Sequence, residues 1–137
     1  MYVRIHYILL SSVVLLLLLT ACQEKRQDRF QREAQDYTAT HCPLHLDEHT
    51  VLDSMVFEPN GEAGELKLYY SLLLTPGQRD TLMRKLYTLG QENLRVVRNS
   101  VQFVRYKEAG VSFTYIYHDA EQGDEIITYH YEKEDYE

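Results

Sequence analysis

Four residues within nine positions, His41, Cys42, His45 and His49, are the densest group of metal-ligating types in the chain, with Asp47 and Glu48 between them. Histidines four apart can meet a metal from one helical face. Pro43 works against that helix, because proline removes a backbone donor and turns the preceding residue away from helical angles. His41 and His45 are therefore not expected on one face, although His45 and His49 can still lie one turn apart. A thiol chemistry would pair Cys42 with His45 or His49, yet no third orienting group and no oxyanion donors accompany them. The stretch reads as exposed histidines leading into the folded part. No catalytic residue, metal or cofactor is assigned, and a metal- or thiol-dependent hydrolase using residues 41–53 stands as the alternative.

The other candidates depend on strand pairing. Val51–Phe57 and Glu65–Leu74 flank Pro59-Asn60-Gly61, and Asn-Gly between two such runs signals a hairpin. Setting Phe57 opposite Leu66 brings Met55 to Leu68, Asp53 to Tyr70 and Val51 to Leu72, one almost wholly apolar face. Asp53 is the one acid on that face, where the Tyr70 hydroxyl could satisfy it; it reads as a structural acid at a sheet edge rather than a general base, since no second carboxylate accompanies it. The opposite face carries Leu52, Val56, Tyr69 and Leu73, too apolar for a plainly solvated surface, and these four are the expected partner-binding residues.

Thr75-Pro76-Gly77-Gln78 predicts a helix start, with Thr as N-cap, Pro at the first helical position and Gln closing a capping box. Leu82, Met83, Leu86, Leu89, Leu94 and Val97 recur at helical steps and form a stripe wide enough to lie on a sheet, with Gly90 as a weak or bent point. Asn99-Ser100 predicts a second cap and a short helix over 101–109 ended by Gly110. Val111–His118 and Glu125–Tyr131 alternate around a turn, and pairing His118 with Asp124 places Val111, Phe113, Tyr115, Tyr117, Ile127, Tyr129 and Tyr131 on one core face. His118 and His130 fall about 20 Å apart in that register, at 3.3 Å per strand residue, and cannot share an ion. The twelve tyrosines, with no tryptophan, are mostly core by this reading. The fold class is α+β: an antiparallel sheet of two hairpins in ββαββ order, with one or two helices on one face.

The N-terminus supplies an address. Ile8–Leu19 is an apolar run broken only by Ser11 and Ser12, preceded by Arg4 and followed by Gln23-Glu24-Lys25-Arg26. It is too short to span a membrane, which takes about 20 apolar residues, and has the order of a secretion signal. Its end, Leu19-Thr20-Ala21-Cys22, resembles the lipobox of bacterial lipoproteins. That resemblance implies cleavage before Cys22, acylation of its thiol and amine, and a membrane-lipid partner through acylated Cys22. Gln23 after the lipidated cysteine is not the aspartate that favours inner-membrane retention in some Gram-negative bacteria, so the implied location is the cell envelope, at the outer membrane. Beyond residues 1–21, residues 22–41 read as a polar tether and 42–137 as a single domain with a frayed acidic C-terminus. The remainder loosely resembles small uncharacterised envelope lipoproteins, a likeness that carries no activity.

Removing Arg4 with the signal takes the net charge from −7 to −8. Phosphate backbones would repel such a chain, and no Lys/Arg stripe is present, so nucleic acid is excluded as a partner. With Cys22 lipidated, Cys42 is left without an intramolecular disulfide partner. The expected role is a lipid-anchored envelope protein that binds another protein or self-associates, without catalysis. Cys22→Ala should abolish radiolabelled-palmitate incorporation and membrane attachment. Incorporation that persists in this variant, or that requires Cys42, would contradict the lipoprotein reading.

Overall fold

The structure is a computed structural model, and it describes residues 26–137. The lipobox and signal residues lie outside the described residues. The α+β class is borne out, with helix α1 over residues 26–41, strands β1 (Leu44–His45), β2 (Thr50–Glu58) and β3 (Glu65–Leu72), helix α2 (Pro76–Asn99), a 3-10 turn (Val101–Phe103), helix α3 (Val104–Glu108), strands β4 (Ser112–Asp119) and β5 (Glu125–Tyr131), and helix α4 (Lys133–Tyr136). The five strands lie in the order β1-β2-β3-β4-β5. Both expected hairpins form, but β3 and β4, which join them, run parallel, so the sheet is mixed rather than wholly antiparallel. The 24-residue α2 makes the parallel join possible, since a crossover between parallel strands needs a long connection.

The expected register holds from Phe57/Leu66 to Met55/Leu68 and then breaks at a bulge between Leu52 and Ser54. The extra residue is Asp53. Beyond it Leu52 pairs with Tyr70 and Thr50 with Leu72, so every earlier residue of β2 changes face. In the β4–β5 hairpin Tyr117 pairs with Ile127, Tyr115 with Tyr129 and Phe113 with Tyr131, two residues displaced from expectation. A shift of two keeps each side chain on its face, so the tyrosine face survives it.

The tether assignment fails over residues 26–41. This polar segment is a helix because Phe30 and Ala34, four apart, are fully buried, and Tyr37 extends the same stripe. Phe30 packs edge-on against Phe57 and at 4.5 Å from the Tyr106 ring. Thr38 fixes the far end, where its hydroxyl both accepts the Met55 N–H and donates to the Met55 carbonyl, each at 2.8 Å. Three apolar positions suffice because the neighbours, not the helix, supply the burial. The frayed C-terminus is corrected too: α4 buries Tyr136, whose hydroxyl donates to the Val111 carbonyl at 2.9 Å.

Helix α2 begins as expected, with Gln78 Oε1 accepting the Thr75 N–H at 2.9 Å. Of its stripe, Met83 is exposed rather than inward. Gly90 has a packing reason: the Tyr129 ring lies against it so closely that a Cβ there would sit 2.7 Å from a ring carbon. The tyrosine hydroxyls then clamp the helix. Tyr129 donates to the Leu86 carbonyl and Tyr131 to the Gly90 carbonyl, each at 2.6 Å, and Tyr117 donates to Asn93 Oδ1 at 3.0 Å. Gly64, at φ 86°, closes the first hairpin directly beneath the Phe57 ring, where no side chain fits.

Burial raises the phenols of Tyr70, Tyr115 and Tyr131 far above their ordinary value, and that of Tyr117 to about 12, with the Asn93 contact partly opposing the rise. Unfolded tyrosine ionises at about 10. Between that pH and the folded values the unfolded chain has released protons the folded chain keeps, so this contribution is full below pH 10 and falls above it, by about 1.4 kcal/mol per pH unit for each such tyrosine. Alkaline titration should therefore show the buried tyrosines ionising in one cooperative step, coincident with loss of the circular-dichroism signal. Ionisation of the same groups with the fold intact would contradict the buried layer.

Candidate functional site

The residues that opened the sequence reading do not converge. The ring of His41 stacks on Tyr37 at 4.6 Å, His45 is exposed on β1 where it pairs with Val51, and His49 meets the Gln78 amide at 2.9 Å. Among the described residues no three His, Cys, Asp or Glu side chains gather at one point. Cys42 is half-buried, and burial together with the Asp53 carboxylate raises its thiol, the opposite of what a nucleophile needs. Asp53 is not on the apolar face. The bulge carries it outward, where it accepts the Ser71 hydroxyl at 2.6 Å.

The second sheet face holds only part of the expected partner set. Leu52 is corrected: the bulge turns it into the core, where it is 4 % exposed and pairs with Tyr70. Val56 and Tyr69 share the outer face, and Leu73 lies exposed just beyond the end of β3. Around them the face is stitched by polar contacts. Lys67 reaches Glu58 at 2.6 Å, the Thr114 hydroxyl donates to Glu65, and Tyr69 stacks on His118. Thr114, His130 and Glu132 also form a row in which His130 lies 2.7 Å from the threonine hydroxyl and 2.8 Å from the carboxylate. It resembles a nucleophile, base and acid in line. Thr114, however, is buried between strands with its hydroxyl proton committed to Glu65, so it cannot attack a substrate. This outer face is largely self-satisfied.

The inner face is not. A cleft of about 440 Å³ opens between the C-terminal half of α1, strand β1 and helix α2, with Met55, Leu68, Tyr70 and Tyr115 of the sheet as its floor. A second hollow of about 570 Å³ adjoins it and shares Tyr37, Met55, Gln102 and Phe103, so the two form one elongated groove. At its mouth Leu46 and Val96 stand 53 % and 49 % exposed. The tyrosines of the floor are stacked, Tyr70 lying nearly parallel to Tyr115 at 5.9 Å and to Tyr117 at 4.9 Å. Among the described residues two buried side-chain polar atoms lack any partner, Asn93 Nδ2 and the Tyr115 hydroxyl, and both residues line this cleft. Leaving such groups unpaired costs about 1–3 kcal/mol each, so native folds rarely keep them without a use. Asp47 borders the cleft, its carboxyl held below the usual range chiefly by the His49 N–H, and Asp36 and the Glu33–Arg105 ion pair, at 3.2 Å, border the adjoining hollow.

Sequence reasoning missed this groove, although one signal was present. Asn93 interrupts the apolar stripe of α2, four residues after Leu89 and four before Val97, at a position where periodicity wants an apolar residue.

Comparison with known proteins adds fold and family. The family described as a domain of unknown function (DUF8479) matches residues 25–128. No curated protein matches. Among solved structures, a candidate secreted protein of Pseudomonas aeruginosa superposes with a TM-score of 0.70 at 10 % identity, covering 84 % of this chain and 96 % of that one. EpsS, the pilotin of the Vibrio vulnificus type 2 secretion system, superposes with a TM-score of 0.56 at 8 % identity, covering 84 % and 94 %. At such identities the likeness is one of fold.

Proposed function

The chain belongs to the DUF8479 family, which brings no activity with it, and we propose that it is a lipid-anchored cell-envelope protein that binds a partner protein in the groove between α1 and α2. The observation that carries this reading is an apolar cleft whose rim residues, Leu46 and Val96, stand 53 % and 49 % exposed. A small molecule filling the cleft would leave Leu46 and Val96 in water, whereas a protein segment lying along the groove covers the rim as well. Asp47 and Asp36 favour an occupant with a basic flank, Glu33 being already paired with Arg105 at 3.2 Å, and a second copy of this acidic chain would meet repulsion instead. A protein-binding role is in keeping with a fold shared with a secretion pilotin. Anchoring through acylated Cys22, and residence at the outer membrane, rest on the lipobox resemblance at Leu19-Thr20-Ala21-Cys22.

Crosslinking in intact envelopes discriminates the surfaces. Val96→Asp and Leu46→Asp should each remove the partner adduct while leaving the protein folded, since both side chains already face solvent, and Val56→Asp on the outer sheet face should retain it. Loss of the adduct in Val56→Asp with retention in the cleft variants would move the site to the outer face. An adduct of twice the monomer mass would identify a second copy as the occupant and contradict the reading.

A further inference from the structure

How far the domain can stand from a lipid anchor is set by where its rigid structure begins. A polar tether over 22–41 would give Cys22 a reach of about 65 Å. Helix α1 removes most of it. Phe30 is fully buried, and Gln27 donates through Nε2 to the Gly61 and Glu62 carbonyls at 3.3 and 3.1 Å, so the first turn of α1 is fastened to the turn between β2 and β3. From Cys22 to Arg26 the chain, even fully extended, spans at most about 14 Å. The attachment point lies at one end of the sheet. A Cβ on Gly110 would stand 3.9 Å from Ala63 and 3.5 Å from Lys133, and the Ser112 N–H donates to the Gly64 carbonyl, so the 59–64 turn, the start of β4 and helix α4 all meet there. Asn60, Glu62, Glu108 and Glu134 are exposed at this end, a polar surface that can lie against headgroups but not insert among acyl chains. The opposite end, at Leu73 and the 120–124 turn, is about 23 Å away along the eight residues of β3. The cleft runs toward it, from Met55 and Leu68 at mid-sheet to Leu72 and Asp47, and Tyr37 lies about 16 Å along α1 from Arg26.

We propose that the domain, resting on acylation of Cys22 as proposed above, stands end-on on the bilayer that holds its anchor. The end formed by the first turn of α1, the 59–64 turn and α4 faces the lipid headgroups, and the groove occupies the membrane-distal side. Leash and helix together hold Tyr37, at the near part of the groove, within about 30 Å of the headgroups. A partner segment must therefore be presented at that height, close to the membrane and not deep in the surrounding compartment.

The acylated protein in nanodiscs of phosphatidylethanolamine and phosphatidylglycerol, doped with lipid that carries a nitroxide on its headgroup, reports the orientation through broadening of its amide NMR signals. Gly61, Glu62 and Glu134 should lose most of their intensity, while Leu73 and Gly123 keep theirs. A twelve-residue Gly-Ser insertion between Glu24 and Lys25 adds up to roughly 40 Å of reach and leaves Leu19–Gln23 unchanged. The broadening at Glu62 should then largely vanish with the protein still held by the discs. Equal broadening at both ends, or stronger broadening at Leu73 and Gly123, would overturn the end-on orientation. Undiminished broadening at Glu62 in the insertion variant would overturn the short leash as its cause. Failure of the anchor looks different: protein that does not stay with the discs, or that stays equally well in Cys22→Ala, would contradict acylation at Cys22 and the orientation with it.

Discussion

The hydroxyls of the tyrosine layer decide where α2 can lie. Tyr129, Tyr131 and Tyr117 stand on the inner face of β4 and β5 and need acceptors when buried. They find them in the Leu86 and Gly90 carbonyls and the Asn93 amide, spaced along one side of the helix. Those bonds pin α2 over the β4–β5 end of the sheet. At the other end, Thr38 pins α1 to Met55 on β2. A five-stranded sheet is wider than the helices so fixed, and the groove is the uncovered strip of floor between them.

This division explains why the same residue type plays two parts. Tyr117, Tyr129 and Tyr131 have their hydroxyls satisfied within the fold and serve as struts, whereas Tyr115 lies in the floor of the cleft with its hydroxyl buried and without an acceptor. Stability and binding draw on the same layer. Gly90 shows how tightly the strut side is built, since the Tyr129 ring occupies the space of its missing side chain.

How much of this was legible in the sequence varied with the kind of signal. The hairpins, the Thr75 cap and the Gly110 stop follow from local chemistry that neighbours reinforce, and the tyrosine face of β4 and β5 follows from a period of two that a two-residue slip cannot disturb. The Asp53 bulge was not legible, because an extra residue leaves the alternation of a nine-residue strand nearly unchanged while reversing the face of Leu52. Residues 26–41 misled for a different reason. Their composition is that of a solvated segment, and only Phe30, Ala34 and Tyr37, which fill a gap beside Phe57 and Tyr106, make the helix part of the core. Tertiary packing overrides composition there. The candidate site was hidden for the same reason, since a groove between two separately pinned helices exists only in the assembled fold, and Asn93 in the α2 stripe was its one visible trace.

The central claim is that the groove, not the outer face of the sheet, meets the partner. Site-specific photo-crosslinking in intact envelopes, with a benzophenone side chain placed at position 96 and, separately, at position 69, tests it most directly. A discrete adduct with a different protein from position 96 and none from position 69 is the result predicted. The same adduct from position 69 with none from position 96 would contradict the account.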